Sequence, residues 1–91
     1  MANMNAQQRE VFRLAILGVV NANRTRFGLS SEAIGLHLGM FGFAHSSDDD
    51  RLDALDYLQG KAMVEEVTRP VSAENRAWRI TTTGIAYLDS H

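Results

Sequence analysis

Between His45 and Gln59 the chain reads HSSDDDRLDALDYLQ, with five aspartates and one arginine in that stretch. Carboxylates at this density have three chemical uses. They can ligate a cation together with imidazole nitrogen, and His37 and His45 stand near Asp48–Asp50 in sequence. A pair can divide acid and base roles when a pocket drives their pKa values apart. They can also accept hydrogen bonds from a basic protein surface or from the amino group of cytosine. A row of them meets phosphate badly, because like charges repel.

The first two uses find no pattern to support them. The histidines and aspartates follow no metal-ligand spacing, so no metal and no cofactor are expected. Ser46 and Ser47 beside His45 are not a catalytic triad, since adjacency in sequence is not the required geometry. GLHLGMFG lacks both the lysine and the spacing of a phosphate-binding loop. Aspartates along the solvent face of a helix have no pocket to tune them. The expectation is a protein that is not an enzyme.

The charge is unevenly spread. Ser46–Tyr57 holds five acids and one base, while the rest has eight bases against six acids; the whole carries −2. The total does not advertise a nucleic-acid binder, whose mark is a basic patch, but bases can still cluster in space. The absence of cysteine excludes disulfides and thiolate metal sites and fits a reducing cytoplasm. The longest apolar run, Leu14 to Val20, is too short to cross a bilayer, and MANMNAQQRE lacks the marks of a signal peptide. A soluble cytoplasmic protein with no membrane partner is expected. Its 91 residues suffice for one domain, expected over residues 1–91 with 1–4 and 90–91 flexible.

The elements that must position the acids follow from periodicity and punctuation. A first helix is predicted over Asn5–Asn23. Its apolar residues cover most of its circumference, so either a small domain wraps it or a second subunit covers part of it. For the second case the seam is expected on Val11, Phe12, Ile16, Val19 and Val20. Thr25 to Leu29 reads as a short strand. Ser30 or Ser31 caps a second helix over about Ser31–Gly39, burying Ile34, Leu38 and Leu36. GMFGFAH is a glycine-punctuated loop whose Phe41 and Phe43 are expected to plug the core. Gly35 and Gly39 stand four apart, a spacing of close helix packing or of a helix end.

A third helix opens with Ser46–Asp49 or Ser47–Asp50 as a capping box. Its first acids suit the positive end of the helix dipole. Leu52, Leu55, Leu58 and Ala62 fall on one side, and Asp49, Asp50, Asp53, Asp56 and Tyr57 on the other. Asp53 and Asp56 lie beyond the first turn, where neither capping nor the dipole accounts for them. Gly60 is expected to end the helix in a left-handed conformation. AMVEEVT and RAWRIT then read as two strands around the tip RPVSAEN, with Trp78 and Ile80 inward. Glu65 or Glu66 is expected to pair with Arg76 or Arg79 across the hairpin. TTTGIAYLDSH gives a short last helix capped by Thr82 or Thr83, burying Ile85 and Leu88.

This order of elements resembles a winged helix-turn-helix, mainly α with a small β-hairpin. LDALDYLQGKAMVEEV looks like a third helix running through glycine into a valine-bearing wing strand. WRITTTG looks like the closure of MarR-like, ArsR-like and PadR-like regulators. The resemblance spans Arg9 to Leu88. A narrower likeness joins the chain to small winged-helix proteins of Mu-like phages and prophages, through Arg13–Leu17 and GFAHSSDDDRLDALDYL.

The resemblance implies double-stranded DNA as partner, with the third helix in the major groove and the wing on the backbone. It places Ser46, Ser47, Asp49, Asp50, Asp53 and Tyr57 toward bases, and Arg69, Ser72, Asn75 and Arg76 on the wing. The supporting bases would be Arg24, Arg26, Arg51 and Lys61. The charge pattern supports the alternative, a protein-interaction module that offers Asp49, Asp50, Asp53, Asp56 and Tyr57 to a basic protein. DNA binding by a homodimer, as a transcriptional regulator or a phage-associated accessory protein in a phage-like setting, is the expectation adopted.

Overall fold

The computed structural model describes residues 4–24, 26–43, 45–67 and 76–90. Its elements are α1 (Ala6–Ala22), α2 (Ser31–Leu38), a 3-10 turn (Gly39–Phe41), α3 (Asp48–Gly60), β1 (Val64–Val67), β2 (Ala77–Ile80) and α4 (Thr82–Asp89). The class is the expected one, mainly helical with a small hairpin.

Each α-helix starts where a side-chain oxygen can satisfy a free backbone N–H. Asn5 and Gln8 form a reciprocal capping box ahead of α1, at 2.8 and 3.0 Å. Ser30 caps α2, leaving Ser31 for another task. Ser47 and Asp50 form the box of α3, the second of the two expected pairs. Thr81 caps α4 through the Gly84 N–H, one residue before the expected Thr82 or Thr83.

β1 and β2 pair antiparallel, with Val64 opposite Ile80 and Val67 opposite Ala77. The strand expected at Thr25–Leu29 shrinks to one residue. Leu29 exchanges both backbone hydrogen bonds with Trp78, at 2.8 and 2.9 Å; Thr25 lies outside the described residues. Gly28 makes this approach possible. Its φ is +73°, and a Cβ there would lie 2.8 Å from the Trp78 carbonyl oxygen.

One core joins Phe12, Ile16, Leu17, Val19 and Val20 of α1 to Ile34, Leu38, Leu55, Leu58, Val64, Trp78 and Ile80. α1 packs against α2, α3, α4 and β2. This corrects the expected dimer seam. Phe12, Ile16, Val19 and Val20 are buried inside their own protomer, and of the five only Val11 is exposed, at 50%. The wide apolar surface of α1 is consumed by a small domain wrapping it. Leu36 is exposed rather than buried, and so is Phe41. Phe43 alone of that pair enters the core, edge-on to Phe12 at 5.1 Å.

The end of α3 also differs from expectation. Gly60 is the last helical residue, and the left-handed position is Ala62, with φ 60°. The Met63 N–H donates to Leu58 O and the Ala62 N–H to Gln59 O, which is the two-bond closure of a Schellman turn. A non-glycine residue there costs about 1–2 kcal/mol. Thr81 offsets this by fastening the turn: its hydroxyl donates to Ala62 O and its N–H to Met63 O. Gly84 completes the closure, because any Cβ at that position would collide with the Met63 carbonyl oxygen.

Candidate nucleic-acid interface

α3 packs Ala54, Leu55 and Leu58 inward and leaves Asp49, Asp53 and Asp56 exposed along one stripe. The stripe follows from the helical period: 49, 53 and 56 recur at intervals of four and three residues. Among the described residues Asp49 and Asp53 have no hydrogen-bond or ion-pair partner. Asp56 does have one, since Arg76 Nη2 stands 3.8 Å from its Oδ1.

Arg76 joins α3 to the hairpin. Its guanidinium grips Glu66 of β1 in a two-point contact, Nε to Oε2 at 2.9 Å and Nη2 to Oε1 at 3.1 Å. It also lies 4.9 Å from the centre of the Trp78 ring. Hydrogen bonding to Arg76 holds the Glu66 carboxyl below its ordinary range despite slight burial. Glu65 pairs with Arg79 on the same strands. Both expected cross-hairpin pairs therefore form, one for each glutamate.

Arg51 does not stand where a phosphate contact needs it. Its side chain is 12% exposed. Nε donates to Ser31 Oγ at 3.0 Å, Nη1 to the Ser46 carbonyl at 2.8 Å, and Nη2 lies 3.5 Å from Asp48. The Ser31 hydroxyl donates in turn to Asp48. This closed cluster ties the start of α3 to the start of α2. Gly35 leaves room for it, since a Cβ there would be 2.8 Å from the Arg51 guanidinium carbon. The signal was present in the sequence: Arg51 precedes Leu55 by four and Leu58 by seven, so it lies on the buried side.

The remaining site residues divide. Ser47 is committed to its cap, and Ser46 accepts from Arg51. Tyr57, 43% exposed, carries the Arg13 guanidinium 3.6 Å from its ring centre and the Lys61 ammonium at 5.7 Å. Asp50 and Asp53 line a small cleft of about 130 Å³ together with Arg9 and Arg13 of α1. Arg24 and Arg26 are exposed, Arg26 5.9 Å from the Phe27 ring centre. Arg69, Ser72 and Asn75 lie outside the described residues. Among the described residues no three acidic or histidine side chains converge as a metal site would require. None of the helices described is long and apolar enough to cross a membrane.

No family model and no curated protein sequence matches the chain. Solved structures do. A MarR family transcription regulator superposes with a TM-score of 0.71 and 20% identity, over 88% of this chain and 47% of that one. A PadR-like transcriptional regulator from Bacillus cereus gives 0.73 and 17%, over 94% of this chain and 82% of that one. This is a winged-helix fold. A mutant of MepR from S. aureus gives 0.68 and 19%, over 92% of this chain and 59% of that one. The chain thus spans about half the length of the MarR family structure. The three bring no support to the narrower likeness with phage proteins. Within the winged helix, β1 and β2 are the wing strands, and the Glu66–Arg76–Asp56 contact fastens the wing base to α3.

Proposed function

We propose that the chain is a single winged-helix domain that binds double-stranded DNA and acts as a transcription regulator. One observation carries the reading. The outer face of α3 is uncovered and lies beside the wing base, in an architecture shared with three transcription regulators. The acids on that face change how a duplex is held. Arg51 is withdrawn and Arg76 is engaged by carboxylates, so phosphate contacts fall to Arg24, Arg26 and Lys61, with Arg69 of the wing sequence. The aspartates are left for base edges, where a carboxylate accepts from the cytosine amino group.

Titration of a duplex at low salt tests this. Nonspecific binding at dissociation constants of about 10⁻⁴–10⁻⁶ M is expected, weakening steeply with salt. Replacing Arg24 and Arg26 by Ala should flatten the salt dependence by about two phosphate contacts. No binding at low salt at about 10⁻⁴ M protein ends the proposal.

A second reading rests on Asp49 and Asp53, which have no partner among the described residues: the acidic stripe receives a basic protein. Asp53→Lys with Asp56→Lys separates the two. It strengthens nonspecific duplex binding at low salt under the first reading and abolishes the protein complex under the second. The proposal includes a homodimer in the cytoplasm, with its seam moved from the buried face of α1 to exposed Leu36, Met40 and Phe41. A species of monomer mass in sedimentation at high concentration removes that part.

A further inference from the structure

α1, the end of α3 and α4 line an open cleft of about 400 Å³ beside the smaller one that Asp50 and Asp53 line, with Arg13 common to both. Its size lies in the range of small-molecule sites, roughly 300–1,000 Å³. The floor is aliphatic. Leu17 and Leu58 are fully buried beneath it, with Leu14 and Met63 half-buried at its sides. Unbranched methionine adapts to the shape of what it touches.

The rim is charged. Arg13 and Lys61 come from different helices and converge on the one ring of Tyr57, at 3.6 and 5.7 Å from its centre. Stacking spends the face of the guanidinium and leaves its N–H edges able to donate. Among the described residues neither cation has a carboxylate at ion-pairing distance. Glu10 is the acid on this rim, one against two cations. A phosphate backbone has no use for the aliphatic floor, and an uncharged oil has no use for the paired cations. A ligand with an apolar chain and one anionic head uses both.

We propose that this cleft binds a medium-chain aliphatic carboxylate, its chain on Leu14 and Met63 over the buried Leu17 and Leu58 and its head between Arg13 and Lys61. The site shares Lys61 with the phosphate contacts proposed above, so the titration is made without DNA and its outcome does not depend on duplex binding. Decanoate, titrated below its micelle concentration into the ¹⁵N-labelled protein, is the probe. Decanol and benzoate are the comparisons.

Amide shifts confined to the Glu10–Leu17 and Tyr57–Met63 segments are expected, with a dissociation constant of about 1 mM or tighter. Decanol should bind about tenfold more weakly, the worth of a hydrogen bond to a charged group. Lys61→Gln, at an exposed position, should weaken decanoate several-fold and leave decanol unchanged. Arg13→Gln should do the same, with circular dichroism confirming its fold. Equal binding of decanoate and decanol overturns the proposal, because the cations would then not be read. So does benzoate binding as tightly as decanoate, or decanoate shifts that fall elsewhere or fail to saturate.

Discussion

α3 carries charge on two sides, and the two sets live under different rules. On the inner side Arg51 is 12% exposed and satisfied by Ser31, Ser46 and Asp48. On the outer side Asp49 and Asp53 stand in solvent, and Asp56 shares Arg76 with Glu66 across a half-exposed contact. Exposure to water separates the two sets. A buried charge stripped of its partners keeps its desolvation penalty, so its partners cannot be removed cheaply. Exposed pairs exchange water for each other at little net gain. The fold therefore requires the inner set and is nearly indifferent to the outer one. Stability does not account for three acids along the outer face.

The strongest way to break this contrast is Arg51→Ala. It takes one donor from buried Ser31, which keeps its bond to Asp48, and leaves the Ser46 carbonyl without its guanidinium donor, and it should cost about 2 kcal/mol in chemical denaturation. Duplex binding by the folded fraction should be unchanged. A cost near zero with lost DNA binding would reverse the roles of the two sides. Gly35→Ala approaches the same cluster from α2. The new Cβ pushes on the Arg51 guanidinium, and a loss of about 1–3 kcal/mol is expected. Combining the two should cost less than their sum, because without Arg51 the methyl has nothing to strike.

Much of the fold was legible because the chain punctuates itself. Serines and asparagine ahead of helices, period-two alternation at Trp78 and Ile80, and the acid–base spacing of the hairpin all express local rules. What escaped was set by packing at a distance. Ala62 takes the left-handed position expected of Gly60 because Thr81, nineteen residues on, grips the turn. The apolar breadth of α1 had two explanations, and only the three-dimensional wrap by α2, α3, α4 and β2 chooses between them. In the candidate site the acidic stripe was legible from helical period alone. The withdrawal of Arg51 was equally legible from its spacing to Leu55 and Leu58, but its charge suggested a phosphate partner first. The convergence of Arg13 and Lys61 on Tyr57 joins residues from separate helices, which no single helical period brings together.

The outer face offers a smaller and sharper test. Asp53→Lys with Asp56→Lys should change stability by no more than about 0.5 kcal/mol for each substitution. If the first reading holds, nonspecific duplex affinity at low salt should rise about tenfold as repulsion is replaced by attraction. A stability loss comparable to that of Arg51→Ala would show that the acids belong to the fold after all.

The smallest effect expected lies at the wing base and depends on pH. Arg76 lowers the Glu66 carboxyl below its ordinary value of 4.5, so the folded state holds that proton less tightly than the unfolded chain does. The resulting stabilisation is fully present above the ordinary glutamate value and is lost as pH falls through the lowered one. Both side chains are well exposed, 31% for Glu66 and 41% for Arg76, so solvent screening leaves only a few tenths of a kcal/mol. Denaturation midpoints compared at neutral pH and at about pH 3 should show this term in the native chain and its loss in Glu66→Gln. Arg76→Ala should remove the same term, together with its weaker contact to Asp56. A difference as large as the Arg51 effect would mean that the wing base is locked as firmly as the interior, and the two sides of α3 would no longer differ in kind.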